Sequence, residues 1–175
     1  QTLSGNGTLT EGTALVMTHK DNASYGSSRI ELGYQSQTAF TVEMDFSNLT
    51  VFAASGGASG AYGQVALTCV IGGVSYSVNA GDVVTAFPSS TGQQGVWAYD
   101  ETTATQDPST IPSSGTFKIQ RTSTSLKMYT GATLITTYTV SATANATIQM
   151  FLGGRTLSTA DIATVDIDDF TITEP

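Results

Sequence analysis

Short runs in which apolar and polar residues strictly alternate dominate this chain and constrain what it can fold into. In Phe40–Phe46, Phe40, Val42, Met44 and Phe46 share one parity, and Thr41, Glu43 and Asp45 share the other. A period of two belongs to a strand with one face buried and one wet, whereas a helix would repeat every 3.6 residues. The same pattern marks Ala14–His19, Arg29–Gly33, Tyr62–Ile71, Val74–Asn79, Val83–Phe87 and Gly95–Tyr99. It returns in Thr116–Arg121, Ser125–Tyr129, Leu134–Val140, Ala146–Leu152 and Ala163–Thr173. Gly72-Gly73 between two such runs reads as a two-residue hairpin turn. Asp100–Ser114, with Pro108 and Pro112, reads as irregular, because proline removes a ladder donor. In the last run Val165 and Ile167 fall out of phase with Phe170 and Ile172, which predicts a β-bulge near Asp168-Asp169. About a dozen short strands with tight turns imply an all-β fold, a two-sheet antiparallel β-sandwich. One domain over residues 1–175 is expected, with the polar stretch Gln1–Thr13 either flexible or donated as a strand to a neighbour.

Charged residues make up only 11% of the chain, against about 25% in a typical soluble protein, so Thr, Ser, Gly and amides must solvate the surface. Disorder does not fit, because apolar residues recur at strand spacing almost throughout. With a net charge of −8 and no cluster among its six Lys and Arg, the chain lacks the footprint that nucleic acid or anionic lipid would require. No apolar run is long enough for a membrane-spanning helix. Cys69 is the single cysteine and sits in the apolar run Val65–Ile71, as a buried, inert thiol would. Four asparagines, Asn6, Asn22, Asn48 and Asn145, stand in N-x-S/T sequons, an excess that marks a glycosylated extracellular or surface protein. The polar start at Gln1 is what a secreted chain would show after signal removal.

The order of elements is familiar. A strand Phe40-Thr41-Val42-Glu43-Met44-Asp45-Phe46 is followed by Gly115-Thr116-Phe117-Lys118-Ile119-Gln120-Arg121 and Ser125-Leu126-Lys127-Met128-Tyr129. The chain closes on Val165-Asp166-Ile167-Asp168-Asp169-Phe170-Thr171-Ile172. This resembles the concanavalin A-like lectin/glucanase jelly-roll superfamily and its laminin-G-like members. The resemblance implies two curved sheets, often with carbohydrate at the concave face or the edge loops. It leaves function open, since this fold hosts enzymes, lectins and structural modules alike.

Glucanases of that group set a nucleophile and a general acid at alternate strand positions, about 5–5.5 Å apart in retaining enzymes. Glu43 and Asp45 have the alternation, but Ser47 and Asn48 stand where a further glutamate would be, so these acids read as a solvated strand face. Asp166 and Asp168 share a parity and, with Asp169, form the one acidic cluster, a candidate for structural Ca²⁺ through carboxylate oxygens. No other cofactor is implied. The single histidine, His19, has no nucleophile elbow to serve, and Ser55–Gly60 lacks the lysine of a phosphate loop. For carbohydrate, Trp97 and Tyr99 share a parity, with Gln93 and Gln94 before them, Asp100 and Glu101 after them, and Tyr62 and Gln64 on a neighbouring strand. Trp97 belongs either to the core, as large aromatics usually do, or to a platform on which a sugar ring stacks. The expectation is therefore a non-catalytic, extracellular, glycan-binding module. The competing reading is a structural surface subunit that self-associates through strand edges.

Overall fold

A computed structural model of the chain describes residues 2–4, 7–11, 15–20, 26–36, 39–51, 62–83, 93–100, 104–108, 111–155 and 161–175. They contain fourteen strands: β1 (Thr2–Ser4), β2 (Gly7–Glu11), β3 (Leu15–Lys20), β4 (Gly26–Ser36), β5 (Phe40–Val51), β6 (Tyr62–Ile71) and β7 (Val74–Val83) come first. They are followed by β8 (Gln93–Tyr99), β9 (Ala104–Pro108), β10 (Gly115–Arg121), β11 (Ser125–Thr130), β12 (Thr133–Thr139), β13 (Ala146–Arg155) and β14 (Asp161–Thr173). Two seven-stranded sheets result, which we call A (β1-β4-β13-β6-β7-β8-β9) and B (β12-β11-β10-β5-β14-β3-β2). Every described pairing is antiparallel.

The alternation seen in the sequence is the packing pattern. From sheet B, Phe40, Val42, Met44 and Phe46 of β5 and Phe117 and Ile119 of β10 point inward; from sheet A, Val65, Leu67 and Cys69 of β6, Val78 of β7 and Ile148 and Met150 of β13 meet them in one buried cluster. The Phe46 and Phe117 rings are tilted with centroids 4.8 Å apart, a favourable aromatic arrangement. Each fully buried side chain of this size contributes about 1.5–3 kcal/mol.

Turn chemistry follows sequence too. Gly72 and Gly73 take φ of 61° and 86°, as a hairpin turn with both central residues left-handed requires. The predicted bulge is present: Ile167 pairs with Phe46 and Asp169 with Asp45, leaving Asp168 as the extra residue. A second irregularity compensates on the partner strand, where Thr164 pairs with Thr50 and Asp166 with Ser47, so β5 advances three residues for two. Asn48 sits in that step with φ 51°, a conformation that Asn tolerates better than most side chains. Its Nδ2 donates to Asp166 Oδ2 at 2.7 Å.

Three expectations change. Ala104–Pro108, expected to be irregular, is the edge strand β9, with Pro108 as its last residue, where a missing N–H costs no ladder bond. The break left between the expected runs Val74–Asn79 and Val83–Phe87 is strand, because β7 continues to Val83 and Gly81 pairs with Gly95; the remainder of the Val83–Phe87 run lies outside the described residues. Within Gln1–Thr13, β1 and β2 pair with β4 and β3 of their own chain, Leu3 in register with Ile30 and Leu9 with Met17.

Arg121 ends β10 on the core side and is 1% exposed. Its Nη2 donates to the carbonyl oxygens of Ser141 (3.0 Å) and Ala144 (2.7 Å), which tether the passage from β12 to β13, hence from sheet B to sheet A. Arg121→Ala is expected to destabilise the fold by about 2–4 kcal/mol, because it strands two carbonyls beside a cavity; urea denaturation measures it. Cys69 is fully buried, and burial pushes its thiol up from 9.0 to about 12, against a smaller opposing pull from Arg121. An acid with a raised native pKa keeps its full stabilising contribution below the unfolded value and loses it above. Stability at this group should be flat up to about pH 9 and fall towards pH 12. The native thiol should stay unmodified by a disulfide reagent at pH 8 and react once the chain is unfolded.

Candidate functional site

Each sheet also has a face turned away from the core, and the two faces differ in chemistry. On sheet B the outward side chains are half-buried or exposed and partly charged. Glu43 lies opposite Lys118, with Nζ to Oε1 at 3.6 Å, and the same Nζ stands 4.7 Å over the Tyr129 ring. Asp45 lies opposite Thr116, whose Oγ1 donates to Oδ1 at 2.5 Å. The acid pair considered from sequence is thus engaged across strands on this ordinary wet face.

Sheet A differs. Five outward positions at its centre are nearly closed to solvent: Ala66 is 2% exposed, Asn79 4%, Ser77 8%, Phe151 8% and Thr68 9%. None of them belongs to the inter-sheet core. Polar side chains are rarely this buried on a sheet's outer side, where an antiparallel face is normally wet. The ladder sets these residues in two adjacent rows. One row runs Arg29, Phe151, Ala66, Asn79, Trp97, Gln106 across β4, β13, β6, β7, β8 and β9. The next runs Glu31, Gln149, Thr68, Ser77, Tyr99, Ala104 across the same strands. Neighbouring strands are about 4.8 Å apart and alternate residues along a strand about 6.5–7 Å apart, so this patch offers amides and hydroxyls within a monosaccharide's width of aromatic positions. Asn79 Nδ2 donates to Ser77 Oγ at 2.8 Å, which fixes the amide before any ligand arrives. Beside this patch, Gly81 and Gly95 face each other with φ of 151° and 127°, backbone that side chains other than glycine rarely adopt.

The residues singled out in the sequence divide across this geometry. Trp97 and Tyr99 hold outward ladder positions opposite Asn79 and Ser77. Tyr62 has the same outward parity on β6, opposite Arg155 and four residues from Ala66. Gln94 has the other parity: it pairs with Asp82 and alternates with Val96 and Ala98 of the core, so it is not in the patch. Asp100 lies past the end of β8 near Tyr138, an inward residue of β12 packed on the core. Burial first, then the negative charge of Asp100 and the neighbouring Tyr76 hold the Tyr138 hydroxyl above the usual phenol range. The Tyr76 and Tyr138 rings stand 5.2 Å apart.

Among the described residues no three His, Cys, Asp or Glu side chains converge as metal ligands. Asp166 and Asp168 are separated by the bulge, Asp166 accepting from Asn48 and Asp168 being exposed. Of the sequons, Asn48 and Asn145 are exposed, while Asn6 and Asn22 lie outside the described residues.

Thr68, Ser77, Asn79 and Phe151 escaped the sequence reading. The signal was present in β6, whose run Val65–Ile71 has small or apolar residues at both parities, as a strand sheltered on both faces does.

No protein-family profile matches the sequence, and no curated protein does. Solved structures do match. The carbohydrate-binding module CBM66 from Bacillus subtilis superposes with a TM-score of 0.57 at 13% identity over 98% of this chain and 95% of that one. The potassium-bound carbohydrate recognition domain of Emp46p gives 0.62 at 10% over 97% and 87%. The alginate lyase AlgAT5 of polysaccharide lyase family 7 gives 0.61 at 14% over 93% and 78%. At such identities the likeness is one of fold, and the fold is the concanavalin A-like jelly-roll β-sandwich.

Two carboxylates split by a bulge, one already bonded, fall short of the six to eight oxygens Ca²⁺ takes. Addition of Ca²⁺ or of EDTA is expected to leave the melting temperature unchanged; a rise with Ca²⁺ that EDTA reverses would establish a metal role for Asp166 and Asp168.

Proposed function

We propose that this chain is a non-catalytic, extracellular carbohydrate-binding module whose ligand lies on the outward face of sheet A. The observation that carries this reading is the sheltered group Phe151, Ala66, Asn79, Thr68 and Ser77, with the ladder positions of Trp97 and Tyr99 opposite Asn79 and Ser77. Sugar rings present an apolar C–H face and a rim of hydroxyls. Aromatic positions spaced among amides and hydroxyls match both, in a site whose polar groups are already ordered. Two neighbours of this fold are named for carbohydrate binding, which supports the same ligand class.

Others are a lyase and an endo-β-galactosidase, so catalysis has to be argued from residues. Glycoside hydrolysis uses two carboxyl groups flanking one bond. Among the described outward ladder positions of sheet A, Glu31 is the one acid, and His19, the chain's single histidine, stands on β3 in the other sheet. Glu43 and Asp45 are on sheet B as well. This distribution supports binding without turnover.

Binding on glycan arrays and on insoluble polysaccharides tests the reading, and no retention above background on either would overturn it. Trp97→Ala and Asn79→Ala are each expected to weaken binding by at least about tenfold, equivalent to about 1.4 kcal/mol. Glu43→Gln on the far sheet should leave binding unchanged and cost less than about 1 kcal/mol of stability, as exposed ion pairs do.

A further inference from the structure

Two N-x-S/T sequons lie among the described residues, Asn48-Leu49-Thr50 and Asn145-Ala146-Thr147, and both asparagines are exposed. Exposure does not separate them, but bonding does. N-glycosylation needs the asparagine amide nitrogen and the hydroxyl two residues later, both on backbone that an enzyme can reach. At Asn48 the fold already uses both groups. Its Nδ2 donates to Asp166 Oδ2 at 2.7 Å, and the Thr50 hydroxyl is hydrogen-bonded to that of Thr164. Between them Leu49 is buried in the core, and its N–H donates to Ser113 O at 2.9 Å. β14 runs alongside, with Thr164 in register with Thr50 and Asp166 with Ser47. Bringing this sequon to an enzyme would break both side-chain bonds and draw Leu49 out of the core.

Asn145 is placed differently. It is the last residue before β13, on a link that leaves the ladder after Thr139. The link is held from within. Arg121 Nη2 binds the carbonyl oxygens of Ser141 and Ala144, and the Ser141 and Thr143 hydroxyls share a hydrogen bond at 3.3 Å. The Asn145 and Thr147 side chains have no hydrogen-bond partner among the described residues. Ala146 is buried, but it forms the end pair of β13 with Ser36 and Ile71, and the register with β4 shifts just beyond Thr147. A strand frays from its end at much lower cost than it opens in its middle.

We propose that Asn145 is the acceptor of an N-linked glycan in the folded protein, and that the fold closes Asn48 although it carries the same motif and is also exposed. The donor is a phosphate-activated saccharide. Asn145 Nδ2 forms a bond to the anomeric carbon, the bond from that carbon to the phosphate leaving group breaks, and one amide proton is released. The product keeps one N–H and the amide oxygen, and no described side-chain hydrogen bond is lost. At Asn48 the same step would place a sugar on the nitrogen that donates to Asp166. Six residues, about 20 Å of strand at about 3.3 Å each, separate Asn145 from Phe151, so the linkage lies outside the sheltered patch of sheet A. A bulky hydrophilic group there also suits a chain with only 11% charged residues, because it solvates surface that charge does not.

The test uses the folded chain made without glycans, a soluble N-glycosyltransferase that accepts N-x-S/T, and a nucleotide-activated hexose. Peptide mass spectrometry follows each sequon over time. Asn145 is expected to be modified at least about tenfold faster than Asn48, a difference set by the cost of opening each segment. Synthetic peptides spanning residues 45–51 and 142–148 should be modified at similar rates, because the preference belongs to the fold. Equal rates at Asn48 and Asn145 in the folded chain, or no modification of Asn145, would overturn the proposal. A peptide pair that kept the preference of the folded chain would also defeat it, since local sequence alone would then decide.

Discussion

Parity is the constraint on which this structure depends. Because Phe46 stacks on Phe117 and the β5 row faces Leu67 and Cys69 across one core, every neighbouring residue is committed to the opposite face. Slipping a strand by one residue would expose its entire apolar set. The core therefore decides which residues can meet a ligand. Asn79 reaches the outer face of sheet A because Val78 and Ala80 are held inside, and Trp97 takes its ladder position there because Val96 and Ala98 are core.

The same constraint explains the paired irregularities of β5 and β14. Asp168 adds a residue to β14, and left alone it would invert every side chain beyond it. The extra step at Asn48 on β5 absorbs the offset, so Val165 and Ile167 on one side and Val42 and Met44 on the other keep their buried parity. Asn48 suits the step twice: it tolerates positive φ, and its amide reaches Asp166.

Strands, the glycine hairpin and the Asp168 bulge were legible in the sequence because each is written within a few neighbouring residues. Sheet membership was not, since Glu43 and Trp97 both read only as positions on alternating strands, and pairings over long separations put them on different sheets. Gln94 stands one residue from Gly95 and so takes the other ladder parity from Trp97, which adjacency in sequence conceals. β9 was hidden by its proline, which counts against a strand only in a sheet's interior. Arg121 ends a strand-like run, and its buried role depends on carbonyls twenty and more residues away. The sheltered patch left one local trace, the lack of polar alternation in β6.

Placing the two outward faces on different sheets also separates two demands that would otherwise conflict. A sugar platform needs sheltered, neutral polar groups, since a buried unpaired charge carries a desolvation cost that weak hydroxyl contacts cannot offset. A low-charge chain needs repulsion somewhere to remain dispersed. The described outward acids are concentrated on sheet B, on β5 and β14, and the floor of the patch on sheet A consists of Thr68, Ser77 and Asn79 without a described charge between them. Moving a carboxylate from the first set into the second would cost both. The patch would bury a charge, and sheet B would lose part of the field that keeps copies apart.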